Sequence, residues 1–301
     1  MATKILIAAY PVRHVNAFAH ISEKELNNHP IMRVGDTAKE GDKYAIGWGK
    51  RIEGIPGSVM ESGFFWDAAH LDTVGMYSNS SLNTEEGYNT VLTHVPRPLG
   101  ELKSKYAQTK NDIHWEGVVL ACQNPGDRSI LYRGTSEDYW SFLEGACKQY
   151  REDLFLKLHP WNSGAILERI TKIASFYGCR AEKCNFSVIE NCKFVLAYNS
   201  TFLVDCMARG IRAAGFVPSA FSRYSTCTNG TYPSKVTYST ELCALFINFL
   251  AYRYCFNYTM TKQKTLTMFE HFSNSTALFP MTDEYCYALN PSDPAAKGRK
   301  H

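Results

Sequence analysis

The chain has 301 residues, of which 45% are hydrophobic and 20% charged, and its formal net charge is +3. This length exceeds what one hydrophobic core usually occupies, so it predicts two domains of about 100 to 150 residues. The composition excludes a disordered or collagen-like chain. No apolar run approaches the roughly 18 residues that cross a bilayer, and the small positive charge permits an anionic partner without requiring one.

The first half of the chain has an irregular pattern. Residues 1–10 include an apolar run that predicts a buried strand and is too short for the hydrophobic region of a signal peptide. Glycines and aromatic residues at 44–49 and 59–66 are typical of turns or of a backbone that approaches a ligand closely. The stretch 96–112 is polar and contains prolines, so we place a boundary there and predict an N-terminal α/β domain over 1–110.

The second half alternates strands and helices. Apolar runs and amphipathic stretches predict strand Gly117–Cys122, helix Glu137–Tyr150, strand Leu154–Leu158, helix Ala165–Tyr177, strand Lys193–Tyr198 and helix Thr201–Arg209. Gly178 and Gly210 are expected to end two of these helices. The alternation is typical of a doubly wound parallel sheet, so we predict a Rossmann-like domain over 111–240.

Beyond residue 240 the pattern is helical. Apolar residues at helical spacing predict one long helix from Thr240 to Phe256, within a C-terminal helical segment over 241–288. Residues 289–301 are expected to form a flexible tail.

Ten cysteines are scattered through the predicted strands and helices. None stands in a Cys-x-x-Cys pair, and the spacing of Cys179, Cys184 and Cys192 fits no standard zinc pattern. We therefore expect reduced core thiols, no metal site and a cytoplasmic location, in a bacterium or a virus-infected host cell.

The segment 154–163 is the most informative part of the sequence. Its leucines predict a buried strand that Pro160 ends, so His159 and Lys157 lie at the carboxyl end of the strand. Open α/β sheets bind ligands at that end. A histidine in such a turn more often only stabilises the turn, so the neighbouring strand ends decide between the two interpretations.

Polar side chains follow three successive predicted strands. They are Gln123, Asp127 and Ser129 after the first, Lys157 and His159 at the second, and Asn199, Ser200 and Thr201 after the third. Loops that follow parallel strands converge on one crevice. Cationic groups can neutralise a phosphate there, and hydroxyls at a helix start can bind it, although Asn-Ser-Thr is also an ordinary helix cap. Together these residues predict a site for an anionic nucleotide.

Several common motifs do not occur in the sequence. It contains no Gly-x-Gly-x-x-Gly, no Walker Gly-x-x-x-x-Gly-Lys-Ser/Thr, no His-Glu-x-x-His and no Gly-x-Ser-x-Gly. The sequence therefore disfavours dehydrogenases, P-loop NTPases, zincins and serine hydrolases.

The strand-end motifs resemble those of a known family. Similar motifs occur in the C-terminal half of capsular-polysaccharide Kdo transferases and, more distantly, in bacterial sialyltransferases; here they are Gln123–Ile130, Lys157–Pro160, Tyr198–Thr201 and Cys206–Gly210. The resemblance implies a GT-B-like α/β fold, with two Rossmann-like domains facing a cleft that holds a nucleotide-activated sugar. It also implies that His159, Ser200 and Thr201 contact the donor phosphate.

The first half carries a looser resemblance to the same family. Met60–Phe65 is similar to the Glu-Asp-Gly-Phe segment of the family, which would make the N-terminal domain the acceptor side. An acidic residue of that segment acts in the family as a base on the acceptor hydroxyl, but Ser62 stands at the central position here. Glu61 is therefore the predicted base. The next candidates for the base are the carboxylates of Asp67 and Asp72.

The sequence thus predicts a glycosyltransferase that moves a sugar from a CMP- or UDP-type nucleotide sugar to a hydroxyl, with inversion. The nucleotide sugar is a co-substrate, and no metal or other cofactor is expected. The acceptor is either a saccharide or a hydroxylated base in DNA. A DNA acceptor could use four aromatic residues to stack on a flipped base, although ordinary core packing explains them more simply: Trp48, Phe64, Phe65 and Trp66. A catalytically silent nucleotide-sugar-binding module and a sugar-nucleotide hydrolase or epimerase are the alternatives.

Overall fold

The structure is a computed structural model that describes residues 4–8, 21, 23–35, 37–48, 51–65, 67–100, 102, 111–257 and 260–289. The chain divides into two compact units. The first combines Met1–Lys105 with Asn248–His301, and the second is Tyr106–Ile247. The first division falls inside the stretch 96–112, where the sequence predicts a boundary. Most of the C-terminal segment predicted over 241–288 belongs to the first unit, which the chain rejoins at Asn248.

Strands and helices are numbered in chain order. The first unit begins with β1 Lys4–Ala8, α1 Glu23–Asn28, β2 Met32–Val34, β3 Asp42–Trp48, β4 Gly57–Ser62, β5 Ala68–Asp72 and α2 Glu85–Leu92. The second unit contains β6 Val118–Ala121, α3 Arg128–Leu131, α4 Ser136–Tyr150, β7 Leu154–Lys157, α5 Gly164–Tyr177, β8 Arg180–Glu182, α6 Ser187–Glu190, β9 Phe194–Ala197, α7 Phe202–Ala208, β10 Ala213–Gly215 and β11 Thr226–Cys227. The chain returns to the first unit through α8 Thr240–Phe249, followed by β12 Cys255–Asn257 and α9 Lys262–Asn274.

Every strand pair that the structure describes in the second unit is parallel, in the order β11-β10-β9-β6-β7-β8. The strands β6 and β9 are buried along their whole length, as expected for short apolar runs that helices cover on both faces. The chain moves outward from β6 to β7 and β8, and it then returns to the other side of β6 with β9. The predicted doubly wound sheet is confirmed, and its order reverses between β6 and β9.

Helix ends in the second unit follow from local sequence. Thr135 and Asp138 form a capping box at the start of α4, because each side chain accepts a hydrogen bond from the backbone N–H of the other residue. Gly178 follows α5 with a φ of 76°, and Gly210 lies just beyond α7 with a φ of 73°. Glycine adopts this left-handed conformation without strain, so both glycines end helices as predicted.

The sheet of the first unit has the order β12-β5-β4-β3-β1-β2. The pairs β1–β2, β1–β3 and β3–β4 are parallel, whereas β5 is antiparallel to both β4 and β12. Ile5, Leu6 and Ile7 are fully buried in β1, which confirms the strand predicted within residues 1–10. The irregular first half of the sequence therefore folds as a second α/β unit.

Gly57 shows why β4 is hard to recognise in the sequence. A Cβ atom at this position would lie 2.3 Å from the carbonyl oxygen of Ala45, its register partner on β3. Only glycine allows the two backbones to approach so closely. This glycine therefore belongs to the sheet and does not mark a turn.

The long helix predicted from Thr240 to Phe256 is wrong at its C-terminal end. The helix α8 stops at Phe249, residues Leu250–Tyr254 form a π-helical turn, and β12 then pairs with β5. An apolar run fits a buried strand as well as a buried helix. Residues Cys255–Asn257 form a strand here because they pair with the edge of β5 that β4 leaves open.

The cysteines are thiols within the two units. All ten lie among the described residues, none is in a disulfide, and each is buried or half-buried, as predicted for reduced core cysteines. Within the described ranges, no helix is both long and apolar enough to cross a membrane. The same residues contain no group of three or more His, Cys, Asp or Glu side chains placed to hold a metal ion.

Candidate functional site

Three loops meet at the carboxyl edge of the second sheet. β6 lies between β7 and β9, so the loops that follow these strands are neighbours. The strand order reverses between β6 and β9, and open α/β sheets bind ligands in the crevice outside such a reversal. The predicted convergence is confirmed, with the loop after β6 in the middle and the His159 loop to one side.

Two buried amides join the loops after β6 and β9. Gln123 Nε2 donates to Asn199 Oδ1, and the backbone N–H of Asn199 donates to Gln123 Oε1, both at 3.1 Å. Asn199 Nδ2 also donates to the carbonyl oxygen of Ser129 at 2.7 Å, and Ser129 Oγ lies 3.4 Å from Gln123 Nε2. These bonds within the protein hold the two loops in one arrangement.

His159 begins a turn that fixes its own ring. Its backbone N–H donates to Asn162 Oδ1 at 2.8 Å, and the backbone N–H of Trp161 donates to His159 Nδ1 at 3.2 Å. Asn162 is fully buried, and its Nδ2 donates to the carbonyl oxygen of Gln123 at 3.3 Å. Because Nδ1 accepts a hydrogen bond, the neutral ring carries its proton on Nε2. The ring therefore offers an N–H donor, as binding a phosphate oxygen requires.

Lys157 brings a cationic side chain to the same edge. Its Nζ donates to the carbonyl oxygen of Cys184 at 2.5 Å and lies 5.7 Å from the ring centroid of Phe202. Burial lowers the pKa of Lys157 below its ordinary value, because desolvation disfavours the charged form. An ammonium group has three N–H donors, so the bond to Cys184 leaves capacity to bind an anion.

A pocket that is open to solvent lies among these groups, and the space of about 320 Å³ at this site includes part of the open solvent. Its lining consists of Ala121, Cys122, Lys157, Leu158, His159, Pro160, Ser200 and Phe202. Burial raises the pKa of the Cys122 thiol well above its ordinary value, so the thiol stays protonated and is a poor nucleophile. A cation, an imidazole and a hydroxyl on otherwise apolar walls suit an anionic ligand with apolar parts.

Only some of the predicted donor-site residues line the pocket. Lys157, His159 and Ser200 line the pocket, whereas Asp127 is exposed at the start of α3 and lies outside the lining. Thr201 also lies outside the lining, at the start of α7. The hydroxyl of Ser200 accepts a hydrogen bond from the backbone N–H of Phe202 at 3.2 Å, so Ser200 stabilises the turn before α7 and also lines the pocket.

Asn162 is a site residue that the sequence analysis missed. It connects the His159 turn to the loop after β6 through both ends of its amide. Its position three residues after His159 is a usable signal, because asparagine side chains commonly bond to the backbone of turns. The contact with Gln123 depends on strand order and has no local signal.

Glu61 lies in the first unit, on β4. It is half-buried and faces His70 of β5 in antiparallel register, so both side chains project from one face of the sheet. The buried His70 ring stacks on Phe64 and Tyr254, at centroid distances of 5.4 and 4.9 Å. A partly exposed carboxylate beside a fixed ring is suited to accept a proton.

Asp72, one of the carboxylates next in line, has a different environment. It is buried, and it accepts hydrogen bonds of 2.6 to 2.9 Å from three backbone N–H groups and three hydroxyls, which belong to Val74, Gly75, Ser80, Ser81 and Tyr254. Burial and then the charge of Asp72 raise the pKa of Tyr254 well above its ordinary value, so this hydroxyl remains a donor. Asp72 therefore stabilises the fold. The other carboxylate, Asp67, has a φ of 54° just before β5.

Three of the four aromatic residues considered for stacking on a DNA base are core residues. Trp48, Phe64 and Phe65 are buried in the first unit, and Trp66 lies outside the described residues. The simpler interpretation, core packing, is confirmed for these three.

The two units together define a class of fold. Each contains a six-stranded α/β sheet, and the sheet of the second unit carries polar loops at the carboxyl edge of its strand-order reversal. The chain thus has a GT-B-like α/β fold, the kind that glycosyltransferases use, as its motifs predict.

The solved structures that share this fold include two Kdo transferases. The chain is similar to Thermosulfurimonas dismutans KpsC, beta Kdo 2,7 transferase, with a TM-score of 0.54 and 14% identity, covering 84% of this chain and 92% of that chain. It is also similar to Thermosulfurimonas dismutans KpsC, beta Kdo 2,4 transferase, with a TM-score of 0.54 and 13% identity, covering 91% of this chain and 99% of that one. At these identities the likeness is one of fold. No protein-family model and no curated protein matches the sequence.

Proposed function

We propose that the protein transfers a sugar from a nucleotide sugar to a hydroxyl group of a saccharide. The observation that carries this proposal is the meeting of Lys157, His159 and Ser200 in one pocket, beside the strand-order reversal of a parallel sheet. The names of the two similar structures, both Kdo transferases, favour an acidic sugar as the transferred group and CMP as its carrier.

The pocket residues are suited to bind the donor phosphate. As the bond between the anomeric carbon and the phosphate oxygen breaks, negative charge grows on the phosphate. The Nε2–H of His159, the hydroxyl of Ser200 and the ammonium of Lys157 can stabilise that charge. Donors that are already in place cost no reorganisation at the moment of reaction. The buried amides of Gln123, Asn199 and Asn162 keep the loops in that arrangement.

Glu61 is the proposed base on the acceptor side. The acceptor oxygen attacks the anomeric carbon while its proton passes to the Glu61 carboxylate, and the electron pair of the broken bond stays with the nucleotide. A single displacement of this kind inverts the configuration at the anomeric carbon. The core positions of Trp48, Phe64 and Phe65 give no support to a DNA acceptor.

A donor screen followed by two substitutions tests the proposal. CMP-, UDP-, GDP- and TDP-linked sugars are screened by thermal shift, and nucleotide release and sugar transfer are then measured for the donor that binds. We expect His159→Ala to slow turnover about 100- to 1000-fold, the cost of losing one donor to a developing oxyanion. Glu61→Gln is expected to slow transfer about 100- to 10000-fold with little change in donor affinity.

Matched controls come from exposed residues of the same type in the same units. His114→Ala and Glu53→Gln are expected to keep full activity. Wild-type turnover in both His159→Ala and Glu61→Gln would refute the proposal. Binding of a nucleotide sugar without any product would identify a catalytically silent module, and a product with retained configuration would exclude the single displacement.

A further inference from the structure

Trp161 is a large aromatic residue whose side chain is 77% exposed. Trp140 of the same unit is buried by comparison. Covering apolar surface is favourable. A ligand that packs on the exposed indole would therefore gain free energy of binding. Its position directly after His159 and Pro160, which line the pocket, distinguishes Trp161 from scattered exposed apolar residues.

The backbone that carries Trp161 is held on both sides. Its own N–H donates to His159 Nδ1 at 3.2 Å, and the N–H of Asn162 donates to the carbonyl oxygen of His159 at 2.9 Å. Asn162 is fully buried, and Pro160 has a restricted φ. The indole is therefore an exposed ring on a fixed loop, which reduces the conformational entropy lost when a ligand packs on it.

The ring also lies close to the proposed phosphate-binding group. The ring centroids of Trp161 and His159 are 5.3 Å apart and their planes meet at 66°. A nucleobase is joined to its phosphate through one ribose, so a base whose phosphate binds at His159 can reach the same loop. Bases stack on indole faces, and the base is the only flat aromatic ring of a nucleotide sugar.

We propose that Trp161 is the stacking platform for the nucleobase of the donor, an inference that rests on the proposed function. The phosphate binds at His159, Lys157 and Ser200, and the base packs on the exposed face of the indole. Stacking recognises any base by its π-face, so the preference among bases must come from other contacts.

Binding of CMP and UDP to the purified full chain tests this inference, by calorimetry and by tryptophan fluorescence. Trp161→Ala is expected to weaken binding of a nucleotide about 5- to 150-fold, the usual effect of removing one stacking ring. Trp161→Phe should restore much of the affinity. Ribose 5-phosphate has the phosphate without the base, so its affinity should change less than twofold in Trp161→Ala.

Phe176→Ala provides the matched control. Phe176 is 80% exposed and lies near the end of α5, about 18 Å along the helix axis from its start after the His159 loop. This variant should bind CMP and UDP like the wild type. Fluorescence of the wild type should change on nucleotide binding, and most of that change should disappear in Trp161→Phe.

The outcomes separate this inference from the proposed function. If the wild type binds CMP or UDP, but Trp161→Ala binds it equally well and shows the same fluorescence change, the stacking role is overturned and the phosphate site stands. If Trp161→Ala loses ribose 5-phosphate and nucleotide equally, Trp161 shapes the loop and does not stack on the base. If the wild type binds no nucleotide, the inference and the proposed donor site are both refuted.

Discussion

Both units contain a six-stranded sheet, but they use buried polar side chains differently. In the first unit, Asp72 accepts hydrogen bonds from the loop that follows it and from Tyr254. In the second unit, Gln123, Asn199 and Asn162 join loops that end at a pocket. The first arrangement stabilises one loop, whereas the second holds together the loops beside the proposed donor site. A buried polar network gains a functional role when it lies where loops of a parallel sheet converge.

Substitution of Asp72 is expected to have the largest effect on stability. Asp72→Ala leaves several buried N–H and O–H donors without their acceptor, and breaking a buried charged network costs about 3–5 kcal/mol. We expect the free energy of unfolding to fall by that amount in denaturant titrations, while the folded fraction still binds CMP. Asp283→Asn is the control, because Asp283 is 52% exposed in its ion pair with Arg97 and should cost about 1 kcal/mol or less. Similar losses in the two variants would contradict a structural role specific to Asp72.

Substitution of Asn162 should affect both stability and binding. Asn162→Ala removes the acceptor for the His159 backbone N–H and the donor to Gln123, so we expect a loss of about 1–3 kcal/mol in unfolding free energy. The turn that holds His159 and Trp161 relaxes, and CMP affinity measured by calorimetry should fall about tenfold. Asn162→Asp keeps the acceptor and should retain more affinity. If Asn162→Ala lost stability without losing affinity for CMP, Asn162 would be a purely structural residue like Asp72, and the proposed difference between the two units would be wrong.

The smallest expected effect is the pH dependence contributed by Lys157. Burial lowers its pKa, so the ammonium loses its proton at a lower pH than an ordinary lysine. The positive charge that attracts phosphate is complete below that pKa and is lost as the pH rises through it. CMP affinity, measured by calorimetry between about pH 7 and 10, should therefore decrease by a few-fold on the alkaline side. Lys157→Arg keeps its charge over this range, and an equal decrease in this variant would exclude Lys157 as the cause.

The sequence reveals the second unit better than the first because of how its strands are buried. Val118–Ala121 and Phe194–Ala197 are covered on both faces, so they appear as short apolar runs between recognisable helices. In the first unit, Gly57 breaks the strand pattern although it lies within the sheet. β12 continues an apolar helical pattern, and only its pairing with β5 makes it a strand.

The sequence predicts which loops form the site, but it does not predict the contacts between them. Parallel topology explains why His159, Lys157 and Ser200 meet, since each lies at or beyond a strand end. The bond between Gln123 and Asn199 joins residues 76 positions apart, and no local pattern reveals it. The exposure of Asp127 depends likewise on the path of its loop. Roles that depend on long-range geometry therefore require the structure.

The position of β9 beside β6 has a consequence for folding. The amide pair of Gln123 and Asn199 joins residues 76 positions apart, and contacts of such sequence separation form slowly. The loops beside the pocket therefore take their final arrangement only when β6 and β9 have paired. A ligand that binds only the complete sheet stabilises it by mass action, so binding of the proposed nucleotide would raise the free energy of unfolding of this unit.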